Sequence, residues 1–92
     1  MQVAYKSPLG LEVCKGDWEG AEWTITGNIK GKYQPRTFQS AYDFEEWVQR
    51  NIRCTNIIFD SEYCQFFAYA MTKRRAVGFL KAIEKKIGKI VG

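Results

Sequence analysis

The sequence predicts one α+β domain over residues 1–92, a small antiparallel β-sheet with two amphipathic helices packed on one face, in the order ββ, ββα, ββα. Three observations carry this. Ala41 to Ile52 and Lys73 to Ile90 repeat apolar residues at helical period. Shorter stretches between Gly, Pro and Asn clusters alternate at period two or are rich in β-branched and aromatic residues. A content of 46% hydrophobic and 15% aromatic residues is enough for a single core in a chain of 92.

Gln2 to Lys6 and Leu11 to Lys15 flank Ser7-Pro8-Leu9-Gly10, where Pro at the second position and Gly at the fourth suit a type I turn and predict an opening hairpin. Gly16 to Gly20 reads as a loop carrying Trp18. Ala21 to Thr26 places Ala21, Trp23 and Ile25 opposite Glu22, Thr24 and Thr26, the pattern of a half-buried strand. Gly27-Asn28 turns the chain into a second strand, Ile29 to Phe38, in which Pro35 favours an edge position. Ser40 with Asp43 predicts a capping box for the first helix. Ala41, Phe44, Trp47, Val48 and Ile52 form its apolar side, and its outer side carries Glu46 and Arg50 in the order that favours an i,i+4 pair. Arg53 to Phe59 and Tyr63 to Ala70 predict a hairpin around Asp60-Ser61-Glu62, with a helix starting at Ser61 as the competing reading, and Thr72 caps a closing helix weakened internally by Gly78 and frayed near Gly88.

Charge is distributed unevenly. The net charge is +4, and residues 63–92 hold seven Lys and Arg against the single Glu84. On a helix, Arg74, Lys81, Lys85 and Lys89 line one side with Arg75 and Lys86 on its shoulder, while Ala76, Phe79, Leu80, Ile83, Ile87 and Ile90 collect opposite. An anchored helix offering a cationic stripe attracts phosphate backbones, acidic protein surfaces or anionic lipid. A second basic cluster, Lys30, Lys32 and Arg36 with Asn28 at the turn and Tyr33 between, sits on the hairpin expected for Gly27 to Phe38. Joined to the helix, it would form a groove able to grip a nucleic acid backbone, with Tyr33 or Trp18 as a stacking surface.

Catalytic chemistry finds little material. There is no histidine, hence no Ser-His or Cys-His pair. The acidic residues fall in a first helical turn, a turn and a loop that account for them, and Gly27 to Lys32 lacks the spacing of a phosphate loop. Cys14, Cys54 and Cys64 are odd in number, without C-x-x-C spacing, and read as reduced, structural thiols at strand positions; no metal or other cofactor is expected. No apolar run approaches the ~18 residues of a membrane span, and Met1 to Gly10 lacks a signal core, so the expectation is a soluble, cytoplasmic, non-enzymatic protein.

The stretch from Arg36 through Phe38, Ser40 and Glu45 to Trp47 and Val48 is strand, cap and amphipathic helix. It resembles the Arg-x-Phe-x-Ser strand-to-helix junction, ending in Glu-x-Trp, of the small phage-encoded anti-CRISPR proteins that inhibit type I-F (Csy, Cascade-like) surveillance complexes. The resemblance implies a stoichiometric inhibitor in the host bacterial cytoplasm that contacts protein subunits and crRNA and sterically blocks target DNA hybridisation. It assigns no binding residues. A net +4 chain favours contact with guide RNA or a protein-RNA junction over mimicry of DNA. Two other classes fit the basic helix: a free-standing nucleic-acid-binding regulator, and an interaction protein docking on an acidic partner.

Overall fold

The computed structural model describes residues 3–18, 21–29, 38–62 and 65–91. Among them the chain runs β1 (Val3–Lys6), β2 (Leu11–Trp18), β3 (Ala21–Gly27), α1 (Ala41–Asn51), β4 (Ile58–Phe59), β5 (Phe66–Ala70) and α2 (Lys73–Val91). The strands form one antiparallel sheet in the order β1-β2-β3-β5-β4, and both helices lie on one face of it. The predicted α+β class is therefore the observed one.

The opening hairpin forms as its turn residues dictate. The Gly10 N–H donates to the Ser7 carbonyl at 3.2 Å and the Ser7 N–H to the Leu11 carbonyl at 2.8 Å, while the Ser7 hydroxyl accepts from the Leu9 N–H at 3.1 Å. Gly10 at φ 103° supplies the left-handed residue that lets a type I turn join two twisted strands. Beyond it, β2 continues through Gly16 to Trp18, where the sequence suggested a loop. A register shift between Lys15 and Trp18 absorbs the irregularity and keeps Trp18 paired with Ala21.

Register explains the two faces. Tyr5, Val13, Ile25, Ala68 and Phe59 lie side by side across all five strands and face the helices; Val3, Cys14, Thr24, Tyr69 and Ile58 form the next row on the opposite face. Thr24 and Thr26 are nevertheless buried at 4% and 9%, so β3 is covered on both sides rather than half exposed. The hydroxyls on that face are satisfied: Thr24 Oγ1 donates to the Cys14 carbonyl and Thr26 Oγ1 accepts from Gln65 Nε2 at 2.8 Å. Both edges of β3 are occupied, by β2 and β5. The expected strand Ile29 to Phe38 lies outside the described residues except for its ends, and neither Ile29 nor Phe38 belongs to the sheet.

Ser40 caps α1, its hydroxyl accepting from the Asp43 N–H at 3.3 Å, while Asp43 Oδ2 accepts from the Gln39 N–H at 3.0 Å. Ile52 ends the helix in extended conformation, with its N–H on the Val48 carbonyl. The Glu46–Arg50 pair forms at 2.6 Å on the outer side, largely in solvent, where such pairs add little stability. The expected hairpin forms, Ile58–Phe59 pairing antiparallel with Phe66–Ala70, but its first arm is shorter than Arg53 to Phe59 because the chain first makes a turn in which Asn56 takes φ 63°. Cys54 consequently sits in that turn and not in a strand, its thiol donating to the Ile52 carbonyl at 3.0 Å. Cys14 is a buried strand residue, and Cys64 lies outside the described set.

Thr72 caps α2, accepting from the Arg75 N–H at 3.1 Å, and the helix runs through Gly78 and Gly88 without fraying at the latter. Ala76, Phe79, Leu80, Ile83 and Ile87 are buried against the sheet as the periodicity requires.

Two glycines should respond oppositely to alanine. A Cβ on Gly27 (φ 135°) would lie 2.5 Å from the Gly10 carbonyl oxygen, so Gly27→Ala is expected to destabilise by about 1–3 kcal/mol. A Cβ on Gly78 meets nothing within 4 Å, so Gly78→Ala is expected to stabilise by about 0.5–1 kcal/mol. Urea denaturation of the two variants checks both signs.

A cationic groove beside the second helix

The helix that buries Phe79, Leu80 and Ile83 inward necessarily turns Arg74, Lys81 and Lys85 outward, and all three are exposed. Lys89 falls in the last turn of α2, with its side chain outside the described set. Glu84, the sole acid on the helix, is committed elsewhere: it accepts from the Tyr5 hydroxyl at 2.6 Å, tying β1 to α2. Lys81 Nζ stands 5.6 Å from the centre of the same ring. The stripe predicted from sequence is thus present along most of its length, and one acid against seven Lys and Arg leaves the helix strongly positive.

The first turn of α2 is more unusual. Lys73, Arg74 and Arg75 follow the cap directly and no acid accompanies them, although the positive end of the helix dipole favours acids there. Arg75, on the shoulder of the stripe, reaches away from it: its Nη1 donates to the Thr55 carbonyl at 3.2 Å, so the side chain spans to the turn after α1. That turn brings Arg53 to the same place. The result is an open groove of about 690 Å³ whose lining includes Arg53, Arg74, Arg75, Ile57, Phe79 and Gly78. No Asp or Glu lines it, and among the described residues Arg53 and Arg74 make no ion pair.

Arg53 is the functional candidate that sequence reasoning missed. Read as part of a strand, it had no reason to join residues twenty positions away; the positive charge adjoining a helix end was the available signal. Of the second basic cluster, Asn28 is exposed just after β3, while Lys30, Lys32, Tyr33 and Arg36 lie outside the described residues. Trp18 ends β2, with its side chain outside the described set. In the junction that carries the anti-CRISPR resemblance, Phe38 meets Phe44 at 5.3 Å and Trp47 at 5.7 Å, both edge to face, so these residues are spent on the core.

Among the described residues no group of three His, Cys, Asp or Glu could hold a metal ion, and no helix is long and apolar enough to cross a membrane. Comparison with protein-family models, with curated proteins and with solved structures finds no match to this chain.

The Tyr5–Glu84 contact has a pH signature. The hydrogen bond to Glu84, aided by burial, holds the Tyr5 phenol above its ordinary value, and burial also raises Tyr69, Cys14 and Cys54. Groups raised on folding stabilise the protein fully below their unfolded values, and that contribution is lost as pH rises through the folded ones. Stability should therefore decline upward from about pH 9, through the thiols and then the phenols. In Tyr5→Phe the decline above about pH 10 should be shallower than in the parent, as read by thermal melts across the alkaline range.

Proposed function

We propose that the protein works by binding and not by chemistry, docking through the outer face of α2 on a phosphate-rich surface of RNA or of a ribonucleoprotein. The observation that carries this reading is a solvent-facing row of cations, Arg74, Lys81 and Lys85, on a helix whose only acid is held by Tyr5. Lysines and arginines displayed in this way bind phosphates by releasing counterions, with affinity that falls as salt rises. Arginines concentrated at the wrong end of a helix dipole cost stability, and local sacrifices of that kind are expected where a surface serves recognition.

The resemblance at residues 36–48 makes the reading more specific: a stoichiometric inhibitor of an RNA-guided type I-F surveillance complex, occupying the guide so that target DNA cannot pair. That target rests on the resemblance, and the phosphate-binding face rests on the helix. An acidic protein partner is the competing occupant, and salt dependence with RNA alone separates the two.

The combined variant Arg74→Glu, Lys81→Glu and Lys85→Glu should remain folded, since all three side chains are exposed, and should bind single-stranded RNA far more weakly. Each phosphate that is no longer neutralised should flatten the slope of log affinity against log salt by about 0.7. Unchanged affinity in a folded triple variant would remove α2 as the recognition surface. A guide-loaded type I-F complex titrated with the protein should lose target-DNA binding at an equivalence point; full target binding at excess protein would leave only the general RNA-binding reading. Purified protein should leave the RNA uncut in the presence of divalent cations.

A further inference from the structure

We infer that the groove beside the first turns of α2 is an end-recognition site for a phosphorylated nucleotide: it takes a terminal phosphate monoester on its arginines and the adjoining base on its apolar lining. The inference rests on the RNA-binding reading above and assigns one place on that surface a distinct role.

The composition of the groove differs from that of the stripe. Lysines on the open helix are point charges, suited to any phosphate of a backbone. The groove instead gathers three guanidiniums, from Arg53, Arg74 and Arg75, with no carboxylate among its lining residues. Guanidinium forks pair two-pronged with phosphate oxygens, and a terminal monoester, with up to two charges and three free oxygens, uses more of them than an internal diester can. The N–H groups of the helix end are not what makes the site, because the Thr72 hydroxyl oxygen already accepts from the Arg75 N–H. The arginines and the concavity make it.

Size and lining fit a nucleotide. About 690 Å³ falls within the range of small-molecule sites, and the groove is an open one in which polar groups predominate. Ile57 and Phe79 supply its apolar lining, and Asn56, in the left-handed conformation, lines it too. Gly78 keeps the wall open, since no atom lies within 4 Å of where its side chain would begin. Arg74 belongs both to the groove and to the stripe, which continues from it through Lys81 and Lys85. A strand whose end is seated in the groove can therefore lay its following phosphates along α2.

The test compares single-stranded RNAs of about eight nucleotides carrying a 5′-phosphate, a 3′-phosphate or neither, by fluorescence anisotropy with the intact protein. One phosphorylated RNA should bind about tenfold more tightly than the unphosphorylated one. That preference should vanish in Arg53→Ala and in Gly78→Leu, the second filling the groove with a residue that favours helix, with folding of both checked by circular dichroism. Competition with nucleoside monophosphate and with inorganic phosphate identifies the source. A monophosphate as potent as the phosphorylated RNA assigns the groove to free nucleotides, and one much weaker assigns it to strand ends. Inorganic phosphate as potent as either would overturn the role of the apolar lining. Equal binding of the three RNAs would overturn the inference and leave the cationic helix reading standing, whereas no RNA binding at low salt would remove both.

Discussion

Phe66 is the ring on which the two functional elements are hung. Its side chain, 1% exposed on β5, meets Phe44 of α1 edge to face at 4.9 Å and Phe59 of β4 at 6.0 Å, and Phe59 in turn meets Phe79 of α2 at 6.0 Å. Edge-to-face pairs are directional, so this chain of rings fixes how the helices lie as well as burying them. With α1 and α2 both held against β5, the turn that leaves α1 is pressed alongside the start of α2. The groove is the space left between them, and Phe79 is at once the last ring of the chain and one of the groove's lining residues.

Two constraints then act on α2 together. Burial of Phe79, Leu80, Ile83 and Ile87 fixes its rotation, and the Tyr5–Glu84 hydrogen bond fixes it again from the β1 side. Their combined effect is electrostatic. A helix locked in rotation presents its cations in one direction, and they outnumber its single acid seven to one. The first turn, with Lys73, Arg74 and Arg75 and no acid, adds positive charge where the helix dipole is already positive.

Much of this was legible in the residues. Ser40 and Thr72 mark the helix starts because a hydroxyl before an apolar-periodic run has a backbone N–H to accept from, and both do so. The buried side of each helix followed from spacing alone. Three features were not legible. Gly16 to Trp18 looked like a loop because glycine and charge suggest one, yet a bulge lets the strand carry on. Thr24 and Thr26 looked solvent-facing because they are polar, yet both are buried, with hydroxyls satisfied by the Cys14 carbonyl and Gln65. Arg53 looked like a strand residue because Thr55, Ile57, Ile58 and Phe59 after it are β-branched or aromatic, and a turn through Asn56 took it elsewhere.

The sequence by itself determined the local and periodic properties: where the helices begin, which sides they bury, and that one of them carries a cationic stripe. These depend on residues within a few positions of one another, and the backbone's own geometry brings such residues together. Only the tertiary structure decided that β3 pairs with β5, that the sheet order places β4 at the edge beyond it, and that Arg53 and Thr55 face Arg75. Those relations join segments separated along the chain, and they are set by how Phe44, Phe59, Phe66 and Phe79 pack, a matter of shape in three dimensions that spacing along one dimension does not encode.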